Sequence, residues 1–472
     1  MDRARTRVKQ AGPPARIFTA MNIPSWRVAL VLVLAPLVAV PAQQPTLAVV
    51  GGRIIDGYGG PPIENGVILI AGERITAVGR RSEIAVPAGV RVISTEGMSV
   101  LPGLADMHVH LMIVGHGDYE HWDTTYRTRF QKEIMPAAAK QLLLAGVTTA
   151  RDLGAQLEDI IAVKRRIARG EIPGPRLFVS GPFLQHAPYS PYEARFRWGV
   201  NGPDDARAKV KQLAQAGVDV IKLIDQDQMT EPDVAAVVEA AHAAGLPVVA
   251  HAHREAEIRL GLKYGVDCFE HTGLGTEPGY PEDILEGLRR RNATLSWTPT
   301  IAPLFLFQYT ADSFPERLDD PAWQEGLAPD VVRDIGRSLA CYAALPYFLL
   351  TRRRIPTLAH KFDQLRSTGV TLLIGTDAGT PGNFHSDATW HELATWVRLG
   401  ATPMEAIQAA TRWPARFLKR EQDLGTLAPG RYADIIALRG DVLQDIALLQ
   451  HVDIVIKGGV VVKPSMQPAP AR

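Results

Sequence analysis

An α/β fold is predicted, a (β/α)8 TIM barrel carrying a small β-sandwich built from both chain ends. Two observations predict it. Eight apolar runs alternate with amphipathic stretches through the middle of the chain, and short strand-like segments cluster at its two ends. The first end reads as strands at Leu47–Ile55, Gly66–Ala71, Ile75–Gly79 and Arg91–Ser94, separated by turns such as Gly57-Tyr58-Gly59-Gly60-Pro61-Pro62. The same texture returns at Ala433–Leu438 and Val452–Val462, the latter split by Lys457-Gly458-Gly459. The β-sandwich is therefore assigned to 43–104 and 419–463, the barrel to 105–418, and a disordered tail to 464–472.

The eight barrel strands are expected at Val100–His110, Val147–Asp152, Pro175–Gly181, Val218–Ile224, Pro247–His253, Cys268–Thr272, Leu295–Thr300 and Thr371–Asp377. Helical patterns follow at Pro203–Gly217, Glu231–Gly245, Pro281–Arg291 and Pro403–Arg412. Gly146, Gly217, Gly245 and Gly369 each precede a strand and serve as helix stops. One connection is abnormal. From Ile301 to Pro356 no clear helix is predicted, and a long insertion after a barrel strand falls on the face where barrel active sites lie. It is a candidate lid or substrate wall, with an oligomer contact or plain elaboration as the alternative.

Composition bounds the function. A formal net charge of +1 over 472 residues gives no electrostatic reason to bind nucleic acid or an anionic membrane, so the partner is a small molecule. The two cysteines, Cys268 and Cys341, are too few for a disulfide framework or a Cys-rich zinc site, and Cys268 reads as core. Near the N-terminus, Arg27 precedes an apolar run at Val28–Val40, interrupted by Pro36 and followed by Val40-Pro41-Ala42. That pattern reads as a secretory signal peptide over 1–42, with Met21 as a candidate start and cleavage after Ala42. The run is too short to span a bilayer comfortably, so the mature protein is expected to be exported, periplasmic or secreted, without stable membrane insertion; an uncleaved membrane anchor is the alternative. A homo-oligomer is compatible with the sequence.

Chemistry is concentrated where the predicted strands end. His108 and His110 close the first; the two-residue period of a strand turns both to one face, and paired neutral imidazoles suit a borderline metal such as zinc. Lys222 lies within the apolar run Val218–Ile224, where desolvation favours the neutral amine. A neutral amine can combine with carbon dioxide to give a carbamate, an oxygen ligand able to bridge two ions; the alternative is a lysine paired with Asp225. His251 and His253 share one strand face, His271 follows in Glu270-His271-Thr272, and Asp377 closes the run Thr371–Ile374. Each motif alone is weak. Five separate strand ends carrying metal-competent residues in the order His-x-His, Lys, His, His, Asp form a strong conjunction.

Those residues and their surroundings resemble the amidohydrolase superfamily, in particular its imidazolonepropionase-like and Xaa-Pro-dipeptidase-like branch. The resemblance runs from Leu47 to Val462. It includes Gly52-Arg53-Ile54-Ile55-Asp56-Gly57, Pro102 through His110, Gly146 through Gly154, His391-Glu392-Leu393, Ala409-Ala410-Thr411 and Leu424 through Asp434. It implies a metal-dependent hydrolase of carbon–nitrogen bonds with two divalent ions, zinc foremost. One ion would be held by His108, His110 and Asp377, and the other by His251 and His271. Carboxylated Lys222 would bridge them, with carbon dioxide as its source, and His253 would contact substrate or support a ligand. Asp377 would also be the catalytic proton carrier.

For the substrate, export and the resemblance favour a dipeptide or an N-acyl amino acid. Lys222 counts against deamination, because deaminases of the superfamily generally use one metal and lack the bridging lysine. Candidate substrate contacts are His116, Tyr119 and His121 after the first strand, Gln185, His186 and Tyr189 after the third, and His385 after the eighth. Where many relatives carry Gly-Gly-His after the third strand, this chain has Gln185-His186-Ala187-Pro188-Tyr189. A cyclic amide or lactone hydrolase is therefore the alternative, and a catalytically silent binding protein the distant one.

Overall fold

The computed structural model describes residues 44–464, apart from 274, 276, 306–315 and 341–345. The predicted leader at 1–42, the tail from 465 and Cys341 lie outside the described residues.

The N-terminal segments form β1 (Leu47–Val50), β2 (Arg53–Ile54), β3 (Gly66–Ala71), β4 (Arg74–Arg80), β5 (Arg91–Ser94) and β6 (Met98–Pro102). The middle of the chain supplies β7 (Leu104–Val109), β8 (Val147–Asp152), β9 (Arg176–Val179), β10 (Phe183–Gln185), β11 (Arg197–Gly199), β12 (Ile221–Leu223), β13 (Val248–His251), β14 (Cys268–Glu270), β15 (Ser296–Thr298) and β16 (Thr371–Leu372). The C-terminal segments add β17 (Ile435–Arg439), β18 (Ile454–Lys457) and β19 (Val460–Lys463). Helices separate the middle strands. After β7 come α1 (Tyr119–Tyr126) and α2 (Met135–Leu144), and α3 (Leu157–Ala168) follows β8. Then come α4 (Pro203–Ala216), α5 (Glu231–Ala243), α6 (Glu255–Tyr264) and α7 (Glu282–Arg291). The chain continues with α8 (Pro329–Ser338), α9 (Pro346–Ser367), α10 (Ala388–Arg398), α11 (Pro403–Ala409) and α12 (Arg412–Phe417).

Both chain ends contribute sheets. One has the order β4-β3-β1-β5; the other, β19-β18-β17-β6-β2, pairs the two ends through antiparallel β17 and β6. Their facing side chains, among them Ile54, Ile68, Ile70, Val100, Ile435 and Ile456, form one apolar cluster. The middle strands are parallel throughout, in the orders β7-β8-β9 and β11-β10-β12-β13-β14-β15-β16. Backbone hydrogen bonds connect these two sheets at two places. Asp219 N donates to Val179 O at 2.8 Å, and Met107 N donates to Ile374 O at 2.9 Å, with a parallel bridge between Val109 and Ala378.

Three expectations are corrected. The run Val100–His110 is two strands, not one: it breaks at Gly103, so that β6 joins the terminal sheet and β7 the parallel one. A Cβ on Gly103 would lie 2.2 Å from Thr148 Oγ1, so the crossing needs a residue without a side chain. The loop after β9 contains two further strands, β10 and β11, each three residues long, where the sequence reading placed only loop. The insertion is not free of helix, since it contains α8 and the first turns of α9, which continues through Pro356.

The interior face of the parallel strands is layered. Val220, Val249 and Cys268 belong to one small apolar cluster with Met107, Leu153 and Leu373. Two residues further along the same three strands stand Lys222, His251 and Glu270, so the strand period raises the polar layer above an apolar floor. The backbones pack closely there. A Cβ added to Gly375 would lie 2.3 Å from Thr298 Cγ2 and 2.8 Å from His108 N. Gly375→Ala is expected to cost about 1–3 kcal/mol through overpacking against β7 and β15. Chemical denaturation checks it, and wild-type stability would contradict the close packing.

Candidate active site

Three of the predicted strand-end residues reach the site where regular strand has ended. His110 directly follows β7, His271 directly follows β14, and Asp377 lies five residues past β16. His271 and Asp377 have φ of 77° and 56°, in the left-handed region that side chains seldom adopt; such strain concentrates at functional sites. β7 itself shifts register between Asp106 and Val109, where the His-x-His pair lies.

Two groups of ligand-competent atoms result. His108, His110 and Asp377 form one, and His251, His253 and His271 the other; within each, the candidate atoms lie within 4.8 Å of one another. His110 Nε2 is 3.1 Å and His108 Nε2 3.5 Å from Asp377 Oδ1. The rings of His108 and His271, one from each group, are 4.7 Å apart between centroids. His253 therefore stands with the second group, stacked on His271 at 4.6 Å.

Burial sets the protonation states. His108 and His251 are held well below the usual imidazole range, first by burial and then by the Lys222 charge. His271 is held there by burial and by neighbouring His253, and His253 is pushed down to about 3, chiefly by burial. These four imidazoles are thus neutral near pH 7, the form a metal requires. Burial would raise the Asp377 carboxyl, but the hydrogen bond from His110 and the charges around it bring it down to about 2. Lys222 is fully buried and its Nζ has no hydrogen-bond partner among the described residues; burial lowers it to about 8. The alternative pairing with Asp225 is not present, because Asp225 accepts instead from Arg254 Nη2 at 2.6 Å.

A layer beneath these residues fixes their orientation. His108 Nδ1 donates to Glu270 Oε2 at 2.9 Å, which leaves Nε2 directed at the site, buried and without a hydrogen bond. Glu270 Oε1 accepts from Arg151 Nη2 at 2.6 Å, and Arg151 Nε donates to Met107 O at 2.6 Å. Asp106 accepts from Thr376 Oγ1 at 2.7 Å and Thr389 Oγ1 at 2.9 Å, tying β7 to the turn that carries Asp377. His271 Nδ1 lies 2.8 Å from Thr300 Oγ1. Sequence reasoning assigned no role to Glu270, Arg151 or Asp106. Their signal was charge at positions inside apolar strand runs, the same signal that singled out Lys222.

Beside the two groups opens a cavity of about 200 Å³, lined by His110, His251, His253, His271 and Asp377. Its outer wall includes Tyr119, Trp122, Phe183, Tyr192, Phe196 and Arg197. Of the expected substrate contacts, His253 and Tyr119 line it. His116, His121, Gln185, His186, Tyr189 and His385 are not among its lining residues. His186 and Tyr189 are exposed, Gln185 is turned to Arg197 and the Ala187 carbonyl, and His385 is buried with Nε2 3.2 Å from His110 O. Strand period places residues on strands and says nothing about loops of this length. A larger cleft, about 420 Å³, opens at the opposite ends of the strands beside Pro247, Ser296 and Thr371 and contains none of the candidate ligands.

Two groups of ligand-competent histidines, a buried carboxylate and a buried amine without a hydrogen-bond partner among the described residues define a site of metal-dependent hydrolase type. Residues 99–462 match the model of the amidohydrolase family, and the chain belongs to that family; it is a hydrolase. Ochratoxinase of Aspergillus niger is 26% identical over 474 residues, covering 91% of this chain and 89% of its own. Imidazolonepropionase of Geobacillus thermodenitrificans is 28% identical over 425 residues, covering 85% and 90%. A crystal structure of a Xaa-Pro dipeptidase with methionine bound in its active site is 26% identical and superposes with a TM-score of 0.68, covering 88% of this chain and 99% of that one.

Since Glu270 holds both His108 and Arg151, Glu270→Gln is expected to weaken metal affinity by about 10–100-fold. Competition against a chromophoric chelator reads it, and unchanged affinity would reduce the Glu270 contact to packing.

Proposed function

We propose that this enzyme is a binuclear metal-dependent amidohydrolase that cleaves the amide C–N bond of a small substrate, a dipeptide or an N-acyl amino acid. Its parallel strands are read as one (β/α)8 barrel, with the terminal sheets as a separate small β-sandwich and the enzyme acting after export. One observation carries the reading: the unpartnered Lys222 amine, whose charge bears on His108 and Asp377 of one group and on His251 and His271 of the other. An amine so placed is expensive as a cation and suited to carboxylation.

The donor set fits two divalent ions, zinc foremost. His108, His110 and Asp377 would hold one, His251 and His271 the other, with carboxylated Lys222 shared and His253 at the substrate side. When bound, the ions would polarise the scissile carbonyl and lower the pKa of an attacking water towards neutrality. The protein's own residues do the rest. Asp377, ionised at every working pH, takes the proton of the water and returns it to the leaving nitrogen. Neutral His253 faces the cavity and is available to hold the substrate. The apolar and aromatic wall of Met112, Trp122, Phe183, Tyr192 and Phe196 suits a hydrophobic side chain, and Arg197 on the same wall suits a carboxylate. The similarity to a Xaa-Pro dipeptidase supports an amide substrate.

Zinc- or manganese-loaded protein assayed on dipeptides, N-acyl amino acids, cyclic amides and lactones tests the substrate class. Release of a free amino acid is expected; cleavage of lactones or cyclic amides alone would overturn the substrate and keep the site.

Asp377→Asn is expected to lower kcat by about 10²–10⁴-fold while retaining most of the metal. Near-normal turnover would remove Asp377 from the proton route. Carboxylation of Lys222 requires the free amine, so at fixed dissolved carbon dioxide it rises as pH climbs through about 8. The neutral fraction should grow from about a tenth near pH 7 to about nine-tenths near pH 9. ¹³C NMR of metal-free protein with labelled bicarbonate follows it; a carbamate signal that persists in Lys222→Ala would assign it elsewhere.

A further inference from the structure

A third cluster of ligand-competent side chains lies outside the site just described, formed by His116, His121 and Asp334 with candidate atoms within 4.8 Å of one another. None of the three lines the substrate cavity. His116 belongs to the segment between β7 and α1, His121 to α1, and Asp334 to α8 of the long insertion, more than 200 residues further along the chain.

His116 is the telling member. It is 2% exposed, its Nδ1 lies 2.9 Å from both the backbone N and O of Asp118, and its ring packs on Trp122 at 5.4 Å. The ring is thereby fixed with Nε2 facing Asp334 Oδ2 at 3.7 Å. That distance is too long for a hydrogen bond, and Nε2 is buried with no other partner among the described residues. Burial holds this imidazole below its usual range, hence neutral near pH 7. His121 Nε2 approaches the same carboxylate oxygen at 2.8 Å, and its ring stacks on that of His116 at 5.4 Å. Tyr126 Oη donates to Asp334 Oδ2 at 2.9 Å and orients it, while Arg337 Nη2 stands 3.5 Å from Oδ1.

We infer that His116, His121 and Asp334 form a structural divalent-cation site of zinc chemistry, which clamps the insertion helix α8 to α1. Two donor atoms each about 2.0–2.1 Å from a tetrahedral zinc stand about 3.3 Å apart, a separation that the observed 2.8 and 3.7 Å bracket. Two imidazoles and one carboxylate select a borderline cation such as zinc over calcium or magnesium, which prefer oxygen donors. The ion would give the orphaned His116 Nε2 a partner and take up the negative charge that Asp334 turns inward. The clamp matters for substrate, because Tyr119 and Trp122 of α1 line the cavity wall. Gly117 N donates to Ser338 Oγ at 2.9 Å, so α8 is already docked beside the cluster, and the cation would lock an existing contact.

The test uses full-length protein saturated with zinc and dialysed against a weak chelator. His121 is about half exposed, so His121→Ala should fold, and Asp334→Ala serves as the independent second variant. Each is expected to contain one zinc per chain fewer than the parent. Crystals of the parent are expected to show an anomalous peak at the zinc edge among the three side chains, separate from any peak at His108 or His251. Equal zinc content in parent and both variants, with no such peak in the parent, would reduce the cluster to hydrogen-bonded side chains and overturn the assignment. Because the peaks are distinguished by position, failure here leaves the reading of the catalytic site intact, and the converse also holds.

Discussion

The desolvation of Lys222 governs how the rest of the site is built. β12 places its amine above a floor of Val220, Val249 and Cys268, and the neighbouring strands seal it from water. An ammonium left alone in such a place is costly, and the structure answers by lowering its pKa rather than by supplying a hydrogen-bond partner. The surrounding imidazoles are neutral for the same reason, since each buried cation disfavours the next. The outcome is an assembly of electron-pair donors with little positive charge of its own, which favours an incoming cation.

Holding such donors in place requires buried charge elsewhere. Glu270 and Arg151 are both fully buried, and their contact orients His108 as it satisfies both groups. Breaking a buried pair of this kind typically costs about 3–5 kcal/mol, because the remaining charge is left uncompensated. Asp106 performs a similar task for the Asp377 turn through two threonine hydroxyls, with burial raising its carboxyl to about 6. The left-handed backbone at His271 and Asp377 is tolerated because these contacts surround it: Trp297 Nε1 donates to His271 O at 2.7 Å, and Asp377 N donates to His108 O at 2.7 Å.

Much of this was legible in the amino-acid sequence, for identifiable reasons. Strand period is local, so the shared face of His108 and His110 and the interior position of Lys222 could be read from the residues alone. The alternation of strands and helices was equally visible, and β3, β5 and β8 occur with the expected bounds. What escaped depends on long-range geometry. The break at Gly103 follows from close approach to Thr148, and the short strands β10 and β11 lie in the stretch 182–200, which carries no long apolar run. Loop histidines gave no directional information: His116 and His121 turn to Asp334 on the insertion, and His385 packs against the His110 backbone. Arg197, on the cavity wall, comes from one of those short strands.

The central claim is that the two donor groups share a bridge at Lys222, and electron paramagnetic resonance of manganese-reconstituted protein tests it most directly. His121→Ala protein is the sample of choice, so that the cluster at Asp334 contributes no separate signal. Two ions joined through a carboxylated Lys222 should give an exchange-coupled spectrum at two equivalents of manganese, replaced by that of isolated ions in Lys222→Ala. A spectrum of isolated ions in the Lys222-containing protein at two equivalents would contradict a bridged binuclear centre.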